Sequence, residues 1–477
     1  MVYFLRGMAG VMSVVASSEY PKDRRKRKKM KKFIGIILAS AMVLSLAACG
    51  STGTAPAAQK SEPAAAASAS AAASAPAEAE TNQAAADVKI GVILVGDETE
   101  GYTAAHMEGI KAAMAANGIP DANVLWKYKV EENSDCYDAA VDLYASGCRL
   151  ILANSYGHQT YMDQAAAEFS DATFLSMTGD FAAVSGKPNL KNAFTKVYES
   201  RYVAGVVAGL KLQELIDAGE LTADKYPNSF DKDGNIKIGY VGAFNYAEVV
   251  SGYTAFYLGI KSIVENVAME VKYTQSWFDI DKEAATAQAL VANGCVIIGQ
   301  HADSTGAPAM CEKLSGEGSL CFSVGYNVDM LATAPSVALT SATNNWAIYY
   351  TYAFKAFLAG EDIAVDWADG YAADAVAITD LGPACAEGTK EKVDEVIAGI
   401  KSGDIHVFDV STFTVEGKNI DSAMIDTSYY DWSTGSPVLV YEGPEVEAVQ
   451  DGYFSESTIR SAPYFALRID GITEDAD

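Results

Sequence analysis

The stretch ANGCVIIGQHADSTG, residues 292–306, decides the fold, because its first half repeats an earlier part of the chain. Residues 145–151 read ASGCRLI and residues 292–298 read ANGCVII, 147 positions later. Lys-Ile-Gly opens an apolar run at residue 89 and again at residue 237, 148 positions later. Two matches at nearly the same offset predict two lobes of similar topology.

Short β-rich runs alternate with helical patterns from residue 88 onward. The clearest runs are KIGVILV (89–95), VLWKYKV (124–130), RLILAN (149–154) and ATFLSMT (172–178). This alternation is typical of βαβ units whose parallel sheet is covered by helices on both faces. The sequence therefore predicts an α/β protein with two Rossmann-like lobes, each built on a parallel sheet.

Polar residues follow the matching strand in each predicted lobe. The repeat aligns Asn154-Ser-Tyr-Gly-His158 with Gln300-His-Ala-Asp-Ser304. In open α/β sheets, ligands bind beyond the carboxyl ends of the strands. If the lobes face each other, both polar segments line one cleft, which predicts a binding site that closes around its ligand.

An enzymatic function is the less favoured alternative. His301, Asp303 and Ser304 are the residue types of a hydrolase triad, but triad members come from separate loops, and the G-x-S-x-G elbow is absent. The four histidines show no metal-ligand spacing, and no phosphate-binding glycine loop is present. We expect no catalytic residue, no metal and no cofactor.

The N-terminus predicts export. A basic cluster at residues 24–32 precedes an apolar stretch and the exit LAACG at 46–50. We assign residues 1–48 to a signal region, with translation starting at Met30. The exit resembles a bacterial lipobox, which implies that Cys49 becomes the lipid-modified first residue of the mature protein. An ordinary signal peptide with a chance cysteine is the alternative.

Residues 49–87 are rich in alanine, serine and proline and contain no aromatic residue. Such a segment cannot bury enough apolar surface to become ordered, so it predicts a flexible tether. The whole chain carries a net charge of −27, and residues 1–48 carry +8, so the remainder carries −35. An acidic body argues against nucleic acid as a partner.

The other six cysteines show no zinc-type spacing. Cys148 and Cys295 lie inside apolar strand patterns, which favours buried free thiols over a disulfide framework in a chain of this size. The disulfide alternative stays open.

Six stretches together resemble the basic membrane protein family of ABC-transporter substrate-binding lipoproteins. They are residues 197–209, 237–263, 276–308, 322–330, 338–350 and 400–409. The resemblance implies a type I periplasmic-binding fold with a three-segment hinge. It also implies capture of a purine base or nucleoside and its delivery to an ABC permease, at the outer face of a bacterial membrane. We expect a monomer.

The resemblance also implies domain boundaries. Lobe 1 is assigned to 88–198 plus 330–366 and lobe 2 to 199–329 plus 370–410, with crossings near 196–200, 326–333 and 364–372. Residues 411–477 form a C-terminal extension that is apolar enough to pack on the body, without an assignment to either lobe.

The first strand end departs from the family pattern. Nucleoside-binding members carry Asp-x-Ser-Phe-Asn there, whereas this chain reads GDETEGY at 96–102. Asp97 and Tyr102 would take the places of the aspartate and the aromatic residue. The patterns WFD at 277–279 and QHADS at 300–304 resemble the subgroup that binds free bases. The choice between a base and a nucleoside stays open.

A purine site needs aromatic faces and a few fixed polar partners. Asp303 is the leading polar candidate, with a helix N-cap as its alternative role, and Trp277 and Tyr156 are candidates for the stacking faces. The full set of predicted ligand-binding residues is Asp97, Tyr102, Tyr156, Glu199, Phe244, Trp277, Phe278, His301, Asp303, Asn327, Asn345 and Trp346. The same fold binding a sugar or amino acid, or acting as a sensor, is the main alternative.

Overall fold

The computed structural model describes residues 84–431 and 437–475 of the 477-residue chain. The predicted signal region, Cys49 and nearly all of the predicted tether lie outside these ranges. Within the described ranges, no helix is long and apolar enough to cross a membrane.

The α-helices of the body follow the predicted alternation. They are α1 Gly101–Ala116, α2 Ser134–Ala145, α3 Gln159–Glu168, α4 Ala182–Ser185, α5 Val197–Asp217, α6 Ala247–Lys261, α7 Ile280–Ala292, α8 Gly306–Gly316, α9 Trp346–Ala359 and α10 Thr389–Ser402.

The strands lie between them and continue into the C-terminal extension. They are β1 Ile90–Ile93, β2 Val124–Lys127, β3 Leu150–Ala153, β4 Thr173–Met177, β5 Leu190–Thr195, β6 Ile236–Gly242, β7 Val267–Tyr273, β8 Ile297–Gln300, β9 Phe322–Tyr326, β10 Ala338–Asn344, β11 Asp366–Asp369, β12 Val376–Ile378, β13 Met424–Asp426, β14 Tyr429–Asp431, β15 Val438–Tyr441, β16 Glu445–Glu447, β17 Val449–Gln450, β18 Tyr453–Phe454 and β19 Ile472–Asp475.

The first lobe is built on a six-stranded sheet in the order β11-β5-β4-β3-β1-β2, with every neighbouring pair parallel. The second lobe has seven strands in the order β12-β10-β9-β8-β6-β7-β19, and only β12 runs antiparallel to its neighbour. The central strands β1, β3 and β8 are buried along their whole length, because helices cover both faces of each sheet.

The internal repeat corresponds to one shared topology. The order β2-β1-β3-β4-β5 in the first sheet matches β7-β6-β8-β9-β10 in the second. Cys148 and Cys295, the cysteines of the repeated stretch, are both fully buried just before β3 and β8. The predicted α/β fold with two parallel-sheet lobes is confirmed. All six cysteines of the described residues are free thiols.

The chain crosses between the lobes at residues 195–197, 344–346 and 369–376. The sequence prediction placed the second crossing at 326–333, which is wrong. β10 pairs in parallel with β9 and buries Leu339 in the core of the second lobe, so residues 338–344 belong to that lobe. An apolar strand pattern does not specify which sheet the strand joins, and here the strand stays beside its predecessor.

The C-terminal extension packs on the second lobe. Phe413, Phe454 and Phe465 join the core of that lobe, where they are buried. β19 then adds to the sheet edge in parallel with β7, so that Ile472 pairs with Met269. The extension therefore completes the second lobe.

Candidate ligand-binding cleft

The two lobes touch at the carboxyl ends of their strands. The backbone nitrogen of Gly101, at the start of α1, donates to the carbonyl oxygen of Asp303 across the gap, at 3.4 Å. A Cβ atom at Gly101 would lie 3.1 Å from that oxygen and 3.3 Å from a methyl group of Val328. Glycine thus permits this close approach, and the residues around the contact line an interlobe cleft.

An aromatic wall lines the second-lobe side. The ring of Phe244 lies 5.4 Å from that of Tyr246 in a stacked arrangement and 5.0 Å from that of Trp277 in an edge-to-face arrangement. Tyr246 is 52% exposed, and Trp277 is half-buried. Phe278 follows on the same loop, where its carbonyl oxygen accepts from Ser276 Oγ at 3.1 Å. Exposed ring area at a strand end is what a planar ligand requires.

Asp303 is buried beside this wall and is held by amide side chains. Asn327 Nδ2 donates to Asp303 Oδ1 at 2.7 Å, and Asn344 Nδ2 donates to Asn327 Oδ1 at 2.9 Å. Thr195 at the first crossing donates to Asn344 Oδ1. A continuous hydrogen-bonded chain therefore joins the hinge to the carboxyl group in the cleft.

Burial raises the pKa of Asp303 well above its usual range, and the negative charges of Glu100 and Glu283 add to this effect. Asn327 has a φ of +62°, a left-handed conformation that asparagine tolerates better than most residues, so the turn after β9 suits this side chain.

His301 is buried behind the cleft and pairs with Glu248. Its Nε2 atom lies 2.7 Å from Glu248 Oε1. Burial lowers the pKa of His301, and the nearby Arg201 lowers it further. Burial alone would raise the pKa of Glu248, but the charge and hydrogen bond of His301 outweigh it, so the pKa is lowered.

Arg201 supports the same strand ends from the hinge helix α5. Its Nη1 donates to Tyr240 Oη at 2.6 Å and to the carbonyl oxygen of Gln300 at 3.0 Å. Its guanidinium carbon lies 3.8 Å from the ring centre of Tyr326. This side chain thus braces the residues that immediately precede His301 and Asn327.

The geometry does not form a hydrolase triad. His301 bonds to Glu248, Asp303 bonds to Asn327, and Ser304 Oγ accepts from the backbone nitrogen of Gly306 at 3.1 Å. Ser304 therefore accepts from the first backbone N–H of α8, whose N-cap residue is Thr305. The three side chains engage separate partners and form no relay.

Some predicted ligand-binding residues of the first lobe lie at the rim of the cleft, and others lie in its interior. Asp97 forms an ion pair with Lys129 at 2.6 Å and accepts from Thr99, and these bonds lower its pKa to about 2. Tyr102 is half-buried, and its hydroxyl donates to the carbonyl oxygen of Asn154. Tyr156 is 37% exposed, and its hydroxyl lies 3.5 Å from Asp180 Oδ2.

Three predicted residues lie at the crossings or inside the first lobe. Glu199 accepts from the backbone nitrogen of Tyr371 at 2.7 Å and thereby ties α5 to the third crossing. Asn345 Nδ2 donates to the carbonyl oxygen of Asp374 at 2.9 Å, which joins the second and third crossings. Trp346 is 1% exposed and stacks on His106 at 4.2 Å.

The prediction from sequence missed Glu100, Glu248, Tyr246 and Arg201. Glu100 and Glu248 are 148 positions apart, the offset of the repeat, and each lies at the start of the helix that follows the first strand of its lobe. That offset was the available signal for both carboxylates. Among the described residues, no group of three or more His, Cys, Asp or Glu side chains is placed to hold a metal ion.

Comparison with known proteins agrees with a solute-binding cleft. The sequence profile of the Bmp family, described as PnrA-like ABC transporter substrate-binding proteins, matches residues 88–407. A purine-binding protein of Brucella abortus (strain 2308) is 29% identical over 330 residues, which cover 68% of this chain and 84% of that protein. A Haloferax volcanii protein with the provisional name of an ABC transporter glucose-binding protein is 26% identical over 274 residues, 57% of this chain and 62% of that protein.

A solved structure agrees on the fold. The ABC transporter solute-binding protein from Conexibacter woesei DSM 14684 superposes with a TM-score of 0.51 at 19% identity, covering 67% of this chain and 98% of that one. The two parallel-sheet lobes, the three crossings and the cleft at the strand ends are those of the type I periplasmic-binding fold. Because the family profile spans both lobes, the chain belongs to the Bmp family of PnrA-like ABC transporter substrate-binding proteins.

Proposed function

We propose that this protein captures a purine base or nucleoside in the interlobe cleft and delivers it to the permease of an ABC importer. The observation that carries the proposal is the aromatic wall of Phe244, Tyr246 and Trp277 beside the buried carboxyl group of Asp303. Stacking of a flat base on such a face contributes roughly 1–3 kcal/mol. The purine-binding protein of Brucella abortus supports this ligand class.

The charge of the cleft also favours a ligand that donates hydrogen bonds. Glu100, Glu248 and Asp303 converge from both lobes, and Arg201 and His301 lie buried behind them. Purines present ring N–H and exocyclic amine donors at their edges, which match carboxylate acceptors. A phosphorylated ligand would place its negative charge beside this cluster of acidic groups, in which the pKa of Glu248 is lowered by His301, so a nucleotide fits poorly.

Delivery follows from the two-lobed architecture. A ligand that contacts both lobes stabilises the closed form over the open form, and the closed surface is what a permease would recognise. The lipid on Cys49 would hold the protein at the outer face of the membrane, and the tether at 49–87 would let the body reach the permease. Cys49→Ser should release the protein into the medium.

The ligand can be identified directly. Residues 50–477 would be expressed without the anchor, purified gently and denatured, and any released small molecule identified by mass spectrometry. A stoichiometric purine base or nucleoside is the expected result, and it also distinguishes a base from a nucleoside. If no small molecule is released, binding would instead be measured by titrating the protein with adenine, hypoxanthine, guanine and their nucleosides.

A sugar is the second candidate, because aromatic walls also bind sugar rings and one relative is named for glucose. Glucose and ribose therefore belong in the same titration panel. Release of a sugar, or binding of glucose with no binding of any purine, would contradict the purine proposal and leave the fold unaffected.

A further inference from the structure

The C-terminal extension, residues 411–475, lies beyond the part of the chain that matches the family profile, residues 88–407. It contacts both lobes. Its core packing and its last strand belong to the second lobe, whereas Tyr429, Arg460 and Ser461 reach the first lobe. A segment that joins two moving bodies must affect how they move.

The attachment to the second lobe is extensive. The ring of Phe465 stacks on that of Phe408 at 4.3 Å. Glu456 is 3% exposed, and its carboxylate accepts from the backbone nitrogens of Tyr464 at 2.7 Å and Phe465 at 2.9 Å. Detaching this part would expose a buried carboxylate and large aromatic rings, so the extension moves with the second lobe.

The attachment to the first lobe is small and specific. Tyr429 stacks on Phe181 with ring centres 4.1 Å apart. Arg460 Nη1 lies 3.6 Å from Asp180 Oδ2, and the two side chains are only 22% and 12% exposed. The backbone nitrogen of Ser461 donates to Asp366 Oδ2 at 2.9 Å.

These first-lobe contacts lie at the cleft rim. Asp180 and Phe181 follow β4, at the same sheet edge as the other cleft residues. The Oδ2 atom of Asp180 that faces Arg460 also lies 3.5 Å from the hydroxyl of Tyr156. Rotation of the lobes apart about the hinge would therefore separate Tyr429 and Arg460 from their first-lobe partners.

We propose that the C-terminal extension is an interlobe latch, fixed to the second lobe, that holds the first lobe through Tyr429 and Arg460. Contacts that exist only in the closed form shift the equilibrium toward it before a ligand arrives. Tyr429 and Arg460 are thus positioning residues, which act on ligand capture through the lobes. The partial burial of the Arg460–Asp180 pair makes it stronger than a fully exposed ion pair.

The test measures lobe separation in the ligand-free protein, so it does not depend on the ligand's identity. Spin labels are attached through non-natural amino acids at Lys111 in the first lobe and Lys313 in the second, both exposed. The double variant Tyr429→Ala/Arg460→Ala should raise the ratio of open to closed protein about tenfold, the factor expected from losing one aromatic stack and one ion pair.

Matched controls come from the extension itself. Arg468 contacts Glu474 and Asn245, which belong to the extension and the second lobe, and Tyr430 is 39% exposed. Arg468→Ala/Tyr430→Ala should leave the distance distribution unchanged. Equal shifts in both double variants, or no shift in Tyr429→Ala/Arg460→Ala, would overturn the latch. Melting curves of both double variants verify that they fold. The single variant Arg460→Lys keeps the positive charge, so it should retain most of the closed population.

Discussion

Asn327 and Asp303 follow neighbouring strands of the second lobe, and the Nδ2 atom of Asn327 lies 2.7 Å from Oδ1 of Asp303. Through Asn344 the same hydrogen-bonded chain reaches Thr195 at the first crossing. The group that we expect to hold the ligand is thus linked directly to the hinge. The carboxyl group of Asp303 and the first crossing therefore belong to one hydrogen-bonded network.

Asp303→Asn should lower the affinity for a purine without lowering the thermal stability of the protein. The amide keeps the size of the side chain but replaces one carboxyl oxygen with an NH2 donor, so a purine N–H loses its acceptor and affinity for adenine or adenosine should fall about 10-fold. Burial raises the pKa of Asp303, so ionisation is costly in the folded protein, and the variant should melt at the same or a higher temperature.

Calorimetric titration and thermal denaturation together check this prediction. Asp329→Asn, two residues after Asn327 and exposed, is the matched control and should change neither property. Unchanged purine affinity in Asp303→Asn would remove Asp303 from the ligand site.

Glu283 on α7 should make stability depend on pH. It is fully buried and accepts from the backbone nitrogen of Ser304, and burial raises its pKa from 4.5 to about 7. The folded protein then binds more protons than the unfolded chain between these values. The contribution of Glu283 to the free energy of unfolding is therefore greatest below pH 4.5, and this contribution is lost as the pH rises through 7.

The loss should be on the order of 2 kcal/mol between pH 5 and pH 8. Glu283→Gln cannot titrate, so its melting temperature should fall less over this range than that of the parent protein. Glu317→Gln, at an exposed position, is the control. Parallel pH profiles for the parent and Glu283→Gln would show that this carboxyl group does not titrate as expected.

Trp277→Ala should weaken purine binding about 10- to 100-fold, because one stacking face is removed. Trp277→Phe should retain part of the affinity. Trp126→Ala is the matched control, since Trp126 lies on the outer strand of the first lobe, 6.1 Å from the ring of Tyr128. A fall in affinity as large in Trp126→Ala as in Trp277→Ala would indicate a general loss of folding and not a lost stacking face.

Gly205→Ala should destabilise the second lobe. A Cβ atom there would overlap the carbonyl oxygen of Phe256, because α5 and α6 approach each other through Gly205 and Gly259. The expected cost is about 1–3 kcal/mol in free energy of unfolding, measured by denaturant titration. Gly316→Ala, where no atom lies within 4 Å, is the control and should be neutral. Equal stability of both variants would mean that the helices adjust without cost.

The fold was predictable because its signals are local and repeated. Runs such as those of β1 and β3 are continuously apolar, which marks strands buried on both faces, and the offset of 147 to 148 residues marks the second copy. Of the predicted site residues, His301 and Asp303 follow β8, the strand end that the repeat identified, and Trp277 follows β7. Their contact with a ligand stays a prediction. Tyr246, in the loop after β6, and Glu248, in the first turn of α6, were not predicted, although the offset of the repeat relates Glu248 to Glu100.

The position of the second crossing could not be predicted from local sequence patterns. β10 has the pattern of any buried strand, and only its pairing with β9 assigns it to the second lobe. Glu199 and Asn345 carry residue types that suit a ligand, but their partners, Tyr371 and Asp374, are distant in sequence and lie at the third crossing. Sequence position alone could not reveal these partners.

The sequence by itself determined the two α/β lobes, the cleft at their strand ends and the family, because buried strands and the internal repeat both appear as patterns of consecutive residues. Only the tertiary structure decided which strand crosses, which carboxylates converge, and that the C-terminal extension joins both lobes. Those features depend on contacts such as Arg460 with Asp180 and Glu248 with His301, between residues far apart in the chain. Such contacts arise when the packed lobes bring distant side chains together, and no local pattern encodes them.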